Sequence, residues 1–202
     1  AERLLEGDVR EGIPLFALVR TAWGFCLLNR EGVAEVLAAT AGTPLPPPDL
    51  VGRISRRNDP LRARAETLAR RASVTRCSVP GLTRMLRRLP EGTAYFNMGH
   101  ANLTLRVMAA QRGPRVVLIH DTIPLDHPEF TRPGIPQVFA RKLSAAVQAD
   151  LIVHTAHATR RLTEAQMAQL GPLPAAVVAP LGVGLPTPGP FTLPGLDPAR
   201  RF

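Results

Sequence analysis

Cysteine is scarce in this sequence: Cys26 and Cys77 are the only two in 202 residues. Two thiols cannot staple a chain of this length, so a disulfide framework is excluded and both read as free, buried cysteines. Aromatic residues make up only 4%, too few for a platform on which bases stack; of these, Trp23 and Phe25 read as core. Zinc-finger spacing and the glycine-aromatic string of an RRM are missing as well, and no nucleic-acid partner is expected. No stretch reads as a signal peptide, and no apolar run reaches transmembrane length. The Walker loop, the GxSxG elbow and the HExxH helix are all lacking. GVGLP at 182–186 comes nearest to a dinucleotide fingerprint, but it runs into proline-rich sequence rather than a helix.

Lysine is nearly absent too. Lys142 stands alone beside 24 arginines, and with 16 acidic residues the formal charge is +9. So one-sided a choice fits a compositional bias, although a basic face still attracts phosphate or acidic headgroups.

What is present is ordinary globular material, 45% hydrophobic and 20% charged, in an amount that suits one domain. Residues 15–19 and 23–28 read as strands, followed by a short helix with Val33, Val36 and Leu37 on one side. Pro44, Pro46, Pro47 and Pro48 forbid regular ladders, so 40–58 reads as a long, poorly packed, flexible loop. Asp59-Pro60 opens a helix over 60–72, whose Arg62, Arg64, Arg70 and Arg71 suggest a basic edge. A helical patch covers 81–88. An alternation then sets in: strand 93–97, helix 102–111 with Leu105, Met108 and Ala109 on its apolar face, strand 115–119, helix 135–148, strand 150–153, helix 159–170, strand 175–179. This pattern predicts an α/β domain with a mostly parallel sheet, its apolar strands covered by helices on both faces.

Ligands of such sheets bind beyond the carboxyl ends of the strands. Three strand ends deliver polar residues to that edge: Asn97, Gly99 and His100 after the first, His120 and Asp121 after the second, His154 and Thr155 after the third. His120 can serve as a base, as a donor to a phosphate or as an orienter of a sugar hydroxyl; equally, it can tie down the loop that follows. Alternation along an extended chain turns Asp121 away from His120, toward the backbone N–H groups around Ile123. Pro124 and Pro128 stiffen that loop. Gly99 and His100 sit in a loop that needs a positive φ or close backbone approach, Asn102 reads as a helix cap or a ligand contact, and Thr155 likewise. His120, Asp121, Asp126, His127, His154 and His157 are the only material for a metal site, and their spacing does not support one.

The strings YFNMGHANL at 95–103, VLIHDTIPLDHPEF at 117–130, ADLIVHTAHATRRL at 149–162 and APLGV at 179–183 together resemble the N-terminal half of bacterial GT-B glycosyltransferases of the retaining group 1 class, family 4-like. The resemblance covers 93–202 and, more weakly, 14–39. It implies a Rossmann-like three-layer acceptor-side domain over 1–183 and a linker over 184–202 toward a donor-binding domain. It implies that His120 contacts the sugar side of the reaction, with Asp121 and Pro124 as its structural neighbours. Asn97, Gly99, His100, Asn102 and Thr155 would line the acceptor side. The serine-x-x-threonine with an intervening acid that the family carries after the third strand is replaced here by Thr155, His157 and Thr159.

The implied activity is transfer of a hexose, with retention, from a nucleotide-sugar to a glycan or lipid-linked acceptor in cell-surface polysaccharide assembly. The nucleotide-sugar is a co-substrate, no other cofactor or metal is called for, and the chain without a donor domain is expected to be inactive. The implied place is the cytoplasm, with peripheral contact at an anionic inner membrane face. The competing readings are a non-catalytic α/β domain that binds a glycan or a partner, and an unrelated α/β enzyme such as an epimerase or hydrolase.

Overall fold

The computed structural model describes residues 12–180 and 182; the expectations placed on 1–11 and on a linker over 184–202 lie outside the described residues. The chain forms a mixed α/β domain with two sheets, where one mostly parallel sheet was expected.

The first sheet is antiparallel. β1 (Ala17–Thr21) and β2 (Gly24–Leu28) form a hairpin, and β3 (Ser73–Cys77) pairs on the far side of β2. The hairpin turn needs glycine at Gly24, where φ is 143° and a Cβ would come 2.0 Å from the Cys77 carbonyl oxygen. Trp23 sits in this turn and is 59% exposed, contrary to its reading as core. The sequence reading also passed over β3, whose alternation of half-buried and exposed residues marks an edge strand. β2 is covered on both faces. Phe25 and Leu27 pack with α4 (Leu82–Leu86), while Cys26 and Leu28 pack with Val33, Val36 and Leu37 of α1 (Arg30–Thr40).

The expectation of a loose loop over 40–58 fails. Residues 43–49 carry no regular structure, as their prolines require, but α2 (Leu50–Ser55) follows directly, and the segment is fastened to α3 (Pro60–Arg71). The polyproline stretch leaves its carbonyls unpaired, and the Arg64 guanidinium donates to those of Leu45 and Pro46. Asp49 caps α2 by accepting from the Gly52 amide at 2.7 Å. It also takes two hydrogen bonds from Arg70, at 2.6 and 2.8 Å. These bonds hold the Asp49 carboxyl down at about 2 and push the Arg70 guanidinium up.

Glu66, 5% exposed, accepts from the Ala22 amide at 2.9 Å and from Arg56 and Arg62 at 2.7 and 3.3 Å. Burial works against its charge, and these donors outweigh burial to keep its pKa below the ordinary range. The expected basic edge of this helix is therefore spent internally. Of its four arginines, Arg71 is the one without such a bond among the described residues.

The second sheet is parallel, with β4 (Tyr95–Asn97), β5 (Arg115–Ile119), β6 (Leu151–His154) and β7 (Ala175–Val178) in sequence order. The four strands are neighbours as the sequence predicted. The helices between them are α5 (Leu105–Ala110), α7 (Ile135–Ala146) and α8 (His157–Met167). A strand order without reversal puts every right-handed crossover on the same side. Accordingly Met108, Leu143, Ala146 and Met167 pack on Val117, Ile119 and Ile152. The predicted face of α5 is corrected. Its buried residues are Val107, Met108 and Ala110, whereas Leu105 is 53% exposed, because the helix begins at Leu105 behind Thr104 rather than at residue 102.

The opposite face of this sheet presents Phe96, Val116, Leu118, Leu151, Val153 and Val177. None of them belongs to a core cluster of the described residues, and Phe96 and Val177 are 49% and 43% exposed. The strands carry the apolar sequence of a sheet covered twice, yet the described residues supply only one cover. Phe96→Lys and Val177→Lys are therefore expected to change the free energy of unfolding in denaturant by about 1 kcal/mol or less, whereas Ile152→Lys should abolish folding. Loss of the fold in the first two would show that this face is packed.

Candidate functional site

The three strand ends named from the sequence do meet. His120 follows β5 directly and is exposed, with Met98 of the β4 end on one side and Thr155 of the β6 end on the other. The His120 Nε2–H donates to the Met98 carbonyl at 3.1 Å. A carbonyl only accepts, so a proton sits on Nε2, and in the neutral ring the lone pair is then on Nδ1. The backbone of His120 is held separately: the hydroxyls of Thr155 and Thr159 both donate to its carbonyl at 3.3 Å. Thr159 was missed as a holder of this residue, although its hydroxyl stands one helical turn beyond Thr155.

His100 answers His120 from the facing loop. Its Nε2–H donates to the Leu118 carbonyl at 2.9 Å, so each histidine is tied to the carbonyl two residues before the other. The ring centroids are 6.2 Å apart, and His100 also meets the Phe139 ring of α7 edge-on at 5.8 Å. The turn's positive φ belongs to His100, at 58°, and not to Gly99, where a Cβ would meet nothing within 4 Å. Histidine is among the residues that tolerate this region. Two bonds hold it there, the one to Leu118 and one from its amide to the Asn97 Oδ1 at 2.9 Å. Asn97 is buried, and its Nδ2 donates to the Tyr95 hydroxyl at 2.8 Å.

Asn102 is not the helix cap. Thr104 caps α5, while the Asn102 Nδ2 donates at 2.7 Å to the Leu18 carbonyl of β1, linking the two sheets. Its buried Oδ1 has no partner among the described residues. Thr155 does not cap α8 either, since the residue at that position is Ala156.

Asp121 turns into its own loop as expected, its Oδ1 accepting from the Ile123 amide at 3.1 Å. Pro124 lies in the first turn of α6 (Ile123–Asp126). The Thr122 hydroxyl donates to Asp126, whose other oxygen accepts from Gln166 of α8 at 2.9 Å. The loop after His120 is thus anchored at both ends, and the edge forms an open shelf. A small hollow of about 80 Å³ lies elsewhere, between Leu89, Thr93 and Gln111. Among the described residues no three of His, Cys, Asp and Glu converge as a metal set, and no helix is long and apolar enough to cross a membrane.

His154 does not join the shelf. It closes β6 with 1% exposure, and its Nδ1 has no partner among the described residues. Burial lowers its pKa, with Glu164 pulling upward and Arg160 downward. Burial also lowers that of His100, against the Leu118 carbonyl and with the charge of Lys142. Both histidines are neutral in the folded and unfolded chain above about pH 6.5, the ordinary value. Below it the unfolded chain binds protons that the fold resists, so stability is expected to fall as pH drops from about 6.5 toward the depressed folded values. Denaturant melts at stepped pH check this, and His154→Gln should flatten the slope. A stability unchanged between pH 7 and 5 would contradict the burial of these rings.

No family model, no curated protein and no solved structure matches this chain.

Proposed function

We propose that this chain carries the acceptor side of a retaining hexosyl transfer from a nucleotide-sugar to a glycan or lipid-linked acceptor. The observation that supports the reading is His120. It stands exposed at the carboxyl edge of a parallel sheet, its Nε2 engaged and its Nδ1 left as an acceptor for a hydroxyl. Thr155 and Thr159 fix its backbone, and the braced loop behind it limits its motion. Such a group orients a sugar hydroxyl and accepts its proton on Nδ1 as the oxygen bonds to the transferred sugar. In this reading the nucleotide-sugar is held by a second α/β domain outside the described residues, and the diphosphate leaves with charge stabilisation from that side.

An anionic membrane surface as the place of work is part of the proposal, but it draws little support from α3, where Arg62, Arg64 and Arg70 are engaged within the fold and Arg71 alone among the described residues is not. The test is an assay of the complete polypeptide with nucleotide-hexoses and saccharide or lipid-linked acceptors, with the anomeric configuration of the product determined. A hexosylated product formed with retention, and lost in His120→Ala, supports the reading. Acceptor binding without transfer would replace it by a glycan-binding domain that uses the same shelf.

A further inference from the structure

We infer that the shelf includes a phosphate subsite, formed by Lys142 of α7 together with the His100 and His120 rings. The inference rests on the reading of the shelf as a ligand site and deepens it: the ligand carries a phosphomonoester or phosphodiester beside the hydroxyl that His120 receives.

Lys142 is the single lysine in a chain that otherwise uses arginine throughout. Its place is given by Phe139, one turn earlier on α7, whose ring meets the edge of His100 at 5.8 Å. Residues three apart share a helix face, so Lys142 stands on the face of α7 from which Phe139 meets His100. Its charge acts on the His100 imidazole, second to burial among the influences that lower it.

Lys142 is half-buried, and among the described residues it has no ion pair. The nearby acid, Asp121, spends an oxygen on the Ile123 amide. By contrast Arg70, Arg115 and Arg160 all sit on carboxylates. An ammonium is also the better shape here. It is a compact charge with three rotatable donors, able to meet a phosphate between two rings, where a planar guanidinium fork demands a flat, two-pronged partner. Both imidazoles have Nε2 committed to backbone carbonyls, so their Nδ1 edges are the ones left for a ligand. A bound phosphate would accept from a proton on the His100 Nδ1 and from Lys142, while the His120 Nδ1 keeps the hydroxyl as its partner.

The shared chemistry can come from a sugar phosphate, a lipid phosphate or free phosphate, and the experiment separates them. The chain is titrated with inorganic phosphate and with glycerol 3-phosphate at pH 6.0 and 7.5 while the ring C–H resonances of its histidines are followed. Vesicles of phosphatidylglycerol or of phosphatidylcholine are tested by flotation. The inference expects a saturable movement of the His100 and His120 signals, stronger at the lower pH, with His154 unmoved.

Lys142→Met should weaken phosphate binding roughly tenfold with unchanged circular dichroism and melting, and Lys142→Arg should retain part of it. Binding of glycerol 3-phosphate tighter than inorganic phosphate points to a soluble phosphoester. Binding of phosphatidylglycerol vesicles that is competed by glycerol 3-phosphate points to a lipid phosphate. No movement of the two signals, equal binding by Lys142→Met, or vesicle binding that phosphoesters do not compete would each overturn the subsite. These failures are distinct from those of the proposed function. Hexosyl transfer onto an uncharged acceptor with no response to phosphate removes the subsite and leaves the transfer. A phosphate response without transfer does the reverse.

Discussion

Arg70→Met is expected to destabilise the fold by about 3 kcal/mol, near the lower end of what a broken buried ion pair costs. Arg70 is 8% exposed and gives two hydrogen bonds to Asp49. Methionine fills similar space but leaves Asp49 without its guanidinium and Glu66 without the nearby Nη1 at 3.6 Å. Glu66 keeps Arg56, Arg62 and the Ala22 amide, which is why the cost should not reach the top of the range. The loss has a location as well as a size. Residues 43–58 are held to α3 by Arg64, Thr67 and Arg70, so amide exchange in α2 should rise more than in the parallel sheet. The double variant Arg70→Met with Asp49→Asn should recover part of the loss, because it removes the stranded charge. Denaturant unfolding measures the first claim and hydrogen exchange the second; an Arg70→Met protein as stable as the parent would show that the clasp is ornamental. Asp49 also predicts behaviour in acid. Its folded pKa of about 2 lies below the ordinary carboxylate value, so its contribution is complete above the unfolded pKa of about 3.9 and disappears as pH falls through about 2.

His120→Ala is expected to lower hexosyl transfer by about a hundredfold or more while leaving stability nearly unchanged, since the ring is exposed and its one hydrogen bond lies at the surface. The variant that separates the explanations is His120→Gln. A glutamine amide can still donate to the Met98 carbonyl and so preserve a purely structural tie, but it offers no imidazole lone pair. His120→Gln should be nearly as impaired as His120→Ala. Restored transfer in the glutamine variant would reduce His120 to a brace for the Met98 loop, and full transfer in both would remove it from the chemistry.

The half of the fold from β4 onward was legible because each element is bounded by punctuation that only one structure satisfies. The apolar run 115–119 ends in His-Asp, and α5 and α8 stop at Ala110 and Met167, a few residues before Gly113 and Gly171. The first half was less legible for physical reasons. β3 is an edge strand of five residues with Arg76 in it, so its alternation competes with no strong apolar signal. α2 is hidden behind four prolines, and what holds it is Asp49 meeting Arg70 from 21 residues away, a contact that local sequence does not announce. Two sheets were read as one because periodicity says nothing about pairing direction.

At the shelf the sequence identified the right strand ends, and alternation placed Asp121 on the Ile123 amide. The loop of Gly99 and His100 does contain the expected positive φ, and His100 rather than the glycine bears it, since its ring and amide gain two bonds there. Asn102 was given to the helix because it precedes one, whereas its actual partner, Leu18, lies 84 residues back in the chain.

The claim at the centre is that His120 offers a lone pair to a ligand at the sheet edge, and the nitrogen spectrum of the histidine side chains tests it most directly. Labelled chain is examined at pH 8, alone and with rising concentrations of a hexose-containing acceptor. The account predicts that the His120 proton resides on Nε2, held by Met98, and that its bare Nδ1 signal moves saturably as acceptor is added while that of buried His154 stays still. A proton found on His120 Nδ1, or an Nδ1 signal that ignores every acceptor while the fold remains intact, would contradict it.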